Sequence, residues 1–344
     1  MDSRTRVIMA LKGGTPDRVP VAEWSIHARV IAALGCADLF DLVDRCGFDG
    51  ISVTPDEKRS WIDHETFVDE WGVTRRQMGE DDTVPIAAPL ATVADLLRYM
   101  PPDPRSEHHF RTLAQAVKRF GRKKAIFFQC RDVFSIPRYL RGTAQILEDT
   151  LLEPELVADL VGLSLAYNIP QAREALRRGA DVILLSDDYS YNAGPLFSPA
   201  VFERCFRDGL SKMVEAVHKA GGLVVKHSDG NVMPLLDAIV SAGIDALDPL
   251  DPLGGMSVAG VRERYPRLPL KGGVPLSELI CGDPSEVTRG ALRCLMESDG
   301  RGYILSSSNS ITSSVKVGNF LAMLEAARFF EAHRSMRPVA NSLG

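Results

Sequence analysis

Between residues 226 and 231 the chain gathers Lys226, His227, Asp229 and Asn231, with Gly230 permitting a sharp turn. The cluster follows directly on the apolar run Leu223 to Val225, which has the character of a buried parallel strand. His227 and Asp229 are two apart, so in extended backbone both side chains leave the same face. An imidazole and a carboxylate converging at the carboxyl end of a strand can ligate a metal, exchange a proton or hold polar groups of a substrate. An isolated His-x-Asp serves equally well to let the carboxylate orient a buried ring. A second focus is Asp187-Asp188-Tyr189, at the end of another apolar run. Two adjacent carboxylates cannot both point inward, so one is expected at the mouth while the other caps a helix or pairs with an arginine.

These residues need a frame, and the hydrophobic pattern supplies one. Eight short apolar segments read as strands: Val19 to Trp24, Gly50 to Thr54, Ala125 to Cys130, Asp181 to Asp188, Leu223 onward, Ala246 to Pro252, Leu268 to Val274 and Gly302 to Asn309. Helical periodicity separates most of them, longest over Pro154 to Arg177, and Ser198-Pro199 opens another helix as N-cap and first-turn proline. That alternation predicts α/β architecture, a (β/α)8 TIM barrel in one domain over 1–334. Residues 55–104 form an irregular cap, with Trp61 to Gln77 as a hairpin over the mouth, and 335–344 a loose tail. In such barrels the carboxyl ends of the strands carry the chemistry. Glu23, Arg131, Asp132, Asp187, Asp188, Asp248, Asp251, Lys271 and Asn309 join the 226–231 cluster there, while the strand bodies are almost uncharged.

Composition excludes several classes. A net charge of -5 and a pI near 5.9 argue against nucleic acid or an anionic membrane surface as partner. Six cysteines without a C-x-x-C read as reduced, mostly buried thiols, and no apolar run is long enough to span a bilayer, so a soluble cytoplasmic protein is expected. Neither G-x-G-x-x-G nor a P-loop is present, and Ser306-Ser307-Ser308 lacks the G-x-S-x-G elbow. His64, His108 and His109 fall in loop-like stretches and read as solvated.

Over residues 4 to 330 the chain resembles the uroporphyrinogen decarboxylase superfamily, which includes zinc-dependent methyltransferases that act with corrinoid proteins. Arg6 to Val21, Gly179 to Asp188, Gly194 to Pro199, His227 to Asn231, Gly243 to Leu247 and Lys271 to Val274 carry the resemblance. The decarboxylases' arginine-rich segment after the first strand reads here Trp24-Ser-Ile-His-Ala-Arg29, with a single arginine. Their F-S-D-I-L reads Ile51-Ser-Val-Thr-Pro55, and Asn309 replaces the histidine of their G-H-G-I. A substrate bearing several carboxylates needs several cations, so decarboxylation of uroporphyrinogen is not expected. The corrinoid-linked branch is the nearer match. There zinc is held by a His-x-Cys pair and a distant Cys; here His227 matches, Asp229 stands at the first Cys, and Ser307 or Ser308 at the second.

The resemblance therefore implies a methyltransferase, moving a methyl group from a small O- or N-methyl compound to a corrinoid protein, with zinc as the expected metal and a homodimer as the expected assembly. His227, Asp229 and Asp187 are the candidate catalytic residues. Glu23, Arg131, Asp188, Tyr189, Asn231, Lys271 and Asn309 are candidates to hold substrate, and His227, Asp229 and Glu23 to hold metal. A lyase acting on a smaller carboxylated substrate is the alternative, calling on Arg131, Lys226 and Lys271. A non-enzymatic corrinoid- or tetrapyrrole-binding module is the third.

Overall fold

The computed structural model describes residues 1–79 and 82–334; the tail expected at 335–344 lies outside them. Seven parallel strands form one sheet, ordered in space as in the chain: Gly50–Val53, Ala125–Cys130, Val182–Leu185, Leu223–His227, Ala246–Leu250, Leu270–Gly272 and Tyr303–Ile304. Helices connect successive strands, as parallel pairing requires. The result is an α/β fold whose sheet curls into a half-barrel of TIM-like form.

Alternation along the strands sorts the core into two layers. Ala125, Phe127, Val182, Leu184, Val225, Ala246 and Ile304 pack inside the curl with Ala22 and with Val7, Ala10 and Leu11 of the helix Ser3–Leu11. Their neighbours Ile126, Phe128, Ile183, Leu185, Val224, Leu247 and Leu270 face outward into the larger core shared with the helices. Residues 20–22 bridge the two edges of the sheet. Asp49 N–H donates to Val21 O at 2.8 Å, Leu305 N–H to Pro20 O at 2.9 Å, and Ala22 N–H to Leu305 O at 3.3 Å. The strand expected over Val19 to Trp24 is cut back to a bridge at Val21, because Pro20 has no N–H and that of Val21 goes to the Asp49 side chain at 3.0 Å.

The cap is more than the expected hairpin. Arg59–Trp61, Thr66–Asp69, Thr74–Met78 and Asp82–Ala87 form a four-stranded antiparallel sheet. Glu70 to Gly72, within the span expected as a hairpin, belong to a turn, since Asp69 Oδ1 accepts the N–H groups of Trp71 and Val73 at 3.0 Å each. The cysteines carry no disulfide, and no helix among the described residues is long and apolar enough to cross a membrane.

One polar network lies wholly under the helices. Lys226 Nζ donates to Asp132 Oδ2 and to Asp187 O, each at 2.7 Å, and rests 3.8 Å from the centre of the Tyr189 ring. Tyr189 Oη donates to Asp132 Oδ1 at 2.6 Å. Lys226, Asp132 and Tyr189 are fully buried. Removing one partner of such a pair strands the other's charge, whereas removing both does not. Lys226→Met is accordingly expected to cost about 3–5 kcal/mol in urea unfolding, and Lys226→Met with Asp132→Leu markedly less than the sum of the single changes. Additive losses would contradict the pairing.

Candidate active site

His227 ends its strand on the inward side, two residues after Val225, and its Cα pairs in register with Asp248 on the neighbouring strand. Register alone thus sets an imidazole beside a carboxylate. His227 Nδ1 lies 2.7 Å from Asp248 Oδ2, and Lys271 Nζ donates to Asp248 Oδ1 at 2.7 Å. All three are buried. Burial alone would raise the Asp248 pKa, but the Lys271 ammonium and the His227 ring outweigh it and hold the carboxyl below its ordinary value. An ionised Asp248 can only accept, so Nδ1 carries the proton and Nε2 is the free nitrogen. The Trp24 ring stacks on the imidazole with centroids 3.8 Å apart and planes at 24°. The ring is fixed at its edge and on its face.

Nε2 points toward the mouth, where Asp229 Oδ1 lies at 3.4 Å and Asp188 Oδ1 at 3.9 Å. Asp229 N–H donates to Asp188 Oδ1 at 3.1 Å, and Asn309 Nδ2 donates to Asp229 Oδ2 at 2.7 Å. The turn that returns Asp229 to the ring depends on Gly230, at φ +77°, where a Cβ would sit 2.4 Å from the Tyr191 carbonyl carbon. Burial is the main cause that pushes Asp229 up to about 6; Asp188 adds to the shift and His227 opposes it. For His227 burial works against the charged form, but Asp248, Asp229 and Asp188 together raise its pKa above the ordinary value.

One atom each from Asp188, His227 and Asp229 lies within 4.8 Å of the others. Asp229 Oδ1 is buried without a hydrogen-bond partner. With Nδ1 anchored on a carboxylate and Nε2 turned to two carboxylate oxygens, the set fits a divalent cation bound through nitrogen and oxygen. It does not fit the thiolate site of the corrinoid-linked branch, since no cysteine belongs to the group. Oxygen donors suit zinc and harder ions.

The structure distributes the other predicted residues over several places. Asn309 joins His227 and Asp229, and Asp188 takes the third place in the cation group that the sequence assigns to Glu23. Glu23 is buried against Ser306 and Ser307, accepting from their hydroxyls at 2.8 and 2.6 Å. Lys271 is tied to Asp248 behind the ring. Asp187 and Tyr189 lie on the helix side. Asp187 Oδ2 accepts from the N–H groups of Phe134 and Ser135 at 2.7 and 2.8 Å, at the start of the helix Ser135–Arg141. Asp188 is therefore the mouth-facing member of the pair and Asp187 the cap. The Asn231 side chain accepts from Met233 N–H at 3.1 Å and shapes its own loop.

Arg131 donates to Ser186 O at 2.9 Å and lines a cavity between cap and barrel with Glu57, Arg59, Trp71 and Ile136. Gln129 also lines it, and donates to Trp24 O at 3.3 Å, Trp24 being the residue whose ring stacks on His227. Sequence reading missed the roles of Trp24 and Asp248. It also misplaced two histidines: His64 is exposed as expected, but His108 and His109 both meet Glu70 and His109 is fully buried.

The uroporphyrinogen decarboxylase (URO-D) family model matches residues 69–330. Among solved structures, a methyltransferase from Methanosarcina mazei aligns with 96% of this chain and 99% of its own, at a TM-score of 0.75 and 18% identity. A D-psicose 3-epimerase from Clostridium cellulolyticum H10 aligns over 93% of this chain and 98% of its own, at a TM-score of 0.47 and 10% identity. No curated protein sequence matches the chain.

Cation binding at Asp188, His227 and Asp229 requires Asp229 and His227 to be deprotonated. With Asp229 near 6 and His227 raised above its ordinary value, zinc affinity is expected to be greatest at alkaline pH, to begin falling above 6.5 as His227 takes up its proton, and to fall more steeply through 6, by about tenfold per unit for each proton displaced. Calorimetric titrations across that range measure it. Affinity independent of pH would contradict the ligand set.

Proposed function

Since the chain belongs to the uroporphyrinogen decarboxylase family, we propose that it is a methyltransferase, moving a methyl group from a small O- or N-methylated compound to a corrinoid protein. The observation that carries this reading is the His227 Nε2 facing Asp229 and Asp188 at the mouth, oriented from behind by Asp248 and Lys271. Likeness in fold to the methyltransferase from Methanosarcina mazei over nearly its whole length supports it. Family membership also supports reading residues 19–22 as an eighth stave that closes the barrel.

Asp188, His227 and Asp229 would hold zinc or a harder divalent ion, which when bound supplies Lewis-acid polarisation of the donor's heteroatom. The chain's own residues do the rest. Asp248 and Lys271 keep the imidazole in one tautomer and one orientation. Without a cation, Asp229, near 6, can instead give a proton to the heteroatom as its bond to the methyl carbon breaks; in either case the bonding pair stays on the heteroatom and the acceptor supplies the pair of the new bond. Asn309 holds the other carboxyl oxygen in place. The donor's body is assigned to the cavity beneath the cap, where Arg131 and Tyr139 would meet an anionic or aromatic portion.

The lyase alternative calls on Arg131, Lys226 and Lys271. Two of these are buried in ion pairs, Lys226 with Asp132 and Lys271 with Asp248, which disfavours a multiply cationic pocket at the strand ends.

Incubation of methoxylated and N-methylated donors with a corrinoid acceptor protein tests the reading. Demethylated product is expected with methylated corrinoid, and His227→Ala should lower kcat/KM by about 10²–10⁴-fold. Arg131→Ala should raise KM for anionic donors and spare neutral ones. Release of carbon dioxide from a carboxylated substrate without any methyl acceptor would overturn the proposal in favour of the lyase.

A further inference from the structure

We infer a second cation site, formed by Glu70, His108 and His109 where the cap meets the barrel. Glu70 Oε2 lies 3.0 Å from His108 Nε2 and Glu70 Oε1 2.7 Å from His109 Nε2. One donor atom from each of the three lies within 4.8 Å of the other two. The side chains are nearly enclosed, at 8%, 14% and 0% exposure for Glu70, His108 and His109. Two imidazoles and one carboxylate are a donor set for zinc and other late first-row ions, with positions left for water.

Both sides of the site are held by contacts that do not involve the donors. On the cap, Asp69 fixes the turn carrying Glu70, and Trp71 O accepts from Tyr99 Oη at 2.8 Å. On the barrel, His108 and His109 lie in the short 3-10 turn Glu107–Phe110. His109 O accepts from Asp56 N–H at 3.2 Å, and Asp56 in turn accepts from the Thr112 N–H and hydroxyl at 2.9 Å each. A site so positioned needs little ordering to bind.

Two further observations point to a ligand. The fully buried His109 has Nδ1 without any hydrogen-bond partner, so the polar contact of its ring is the one to Glu70. Glu70 also forms part of the wall of the cavity beneath the cap, beside Trp71, Tyr167 and Arg131, which gives an ion a route in. A bound cation there would cross-link the cap to the barrel at the edge of the proposed substrate cavity. The inference does not depend on the His227 cluster, from which these residues are separate.

Elemental analysis after zinc loading and desalting, with folding checked by circular dichroism, tests it on the full chain. His227→Ala is expected to retain about one zinc per chain. Adding His108→Ala or Glu70→Gln should remove that zinc and abolish the zinc-induced rise in Tm and in protease resistance of the cap. Glu70→Gln in the otherwise unchanged chain should lower its content by one equivalent. Retention of the zinc when either Glu70→Gln or His108→Ala is added to His227→Ala would overturn the site, as would a folded His227→Ala protein that binds none. If the unchanged chain and His227→Ala hold the same single zinc and Glu70→Gln loses it, this site stands and the barrel-mouth cation site falls.

Discussion

The site depends on one buried sequence of contacts, Lys271 to Asp248 to His227. Taking an ammonium and a carboxylate out of water costs several kcal/mol each unless their partners are complete. Here each oxygen of Asp248 has its own donor, one from Lys271 and one from His227. Such a pair is weak evidence for added stability. Its consequence is geometric: the imidazole keeps one tautomer and one direction, so Nε2 meets Asp229 and Asp188 without a search. The stacking of Trp24 on the ring removes the remaining rotation.

The alternation of the strands decides which polar groups reach the mouth. Val225, His227, Ala246 and Asp248 share the inner face. Lys226 and Asp187 turn to the helices, where Lys226 meets Asp132 and Tyr189, and Asp187 caps the helix Ser135–Arg141. The rim that looks uniformly polar in sequence is therefore two sets with different work. The inner set meets at the His227 ring; the outer set ties strands to helices. A shift of one residue in strand register would exchange them.

How far this could be read from the sequence follows from range. His227-x-Asp229 and the expectation that only one of Asp187 and Asp188 reaches the mouth rest on period two over a few residues; which one was misread, since Asp187, expected as catalytic, caps a helix and Asp188 faces His227. Asp248 needed more: its pairing with His227 depends on which strand neighbours which, and in what register. Trp24 lies in irregular backbone, where no period predicts a stack. The cap was misread as one hairpin because the Asp69 turn looks, residue by residue, like a continuing strand. His108 and His109 look solvated until Glu70, far off in sequence, is brought onto them. In each miss the deciding partner is distant in the chain.

The orientation of His227 can be observed directly by long-range proton–nitrogen correlation of imidazole-labelled protein at mildly alkaline pH, with His227→Ala to assign the ring. The expected spectrum has the His227 proton on Nδ1, and on zinc addition the unprotonated Nε2 resonance shifts. A proton on Nε2, with resonances unmoved by zinc, would contradict the Asp248 anchor and the cation site together.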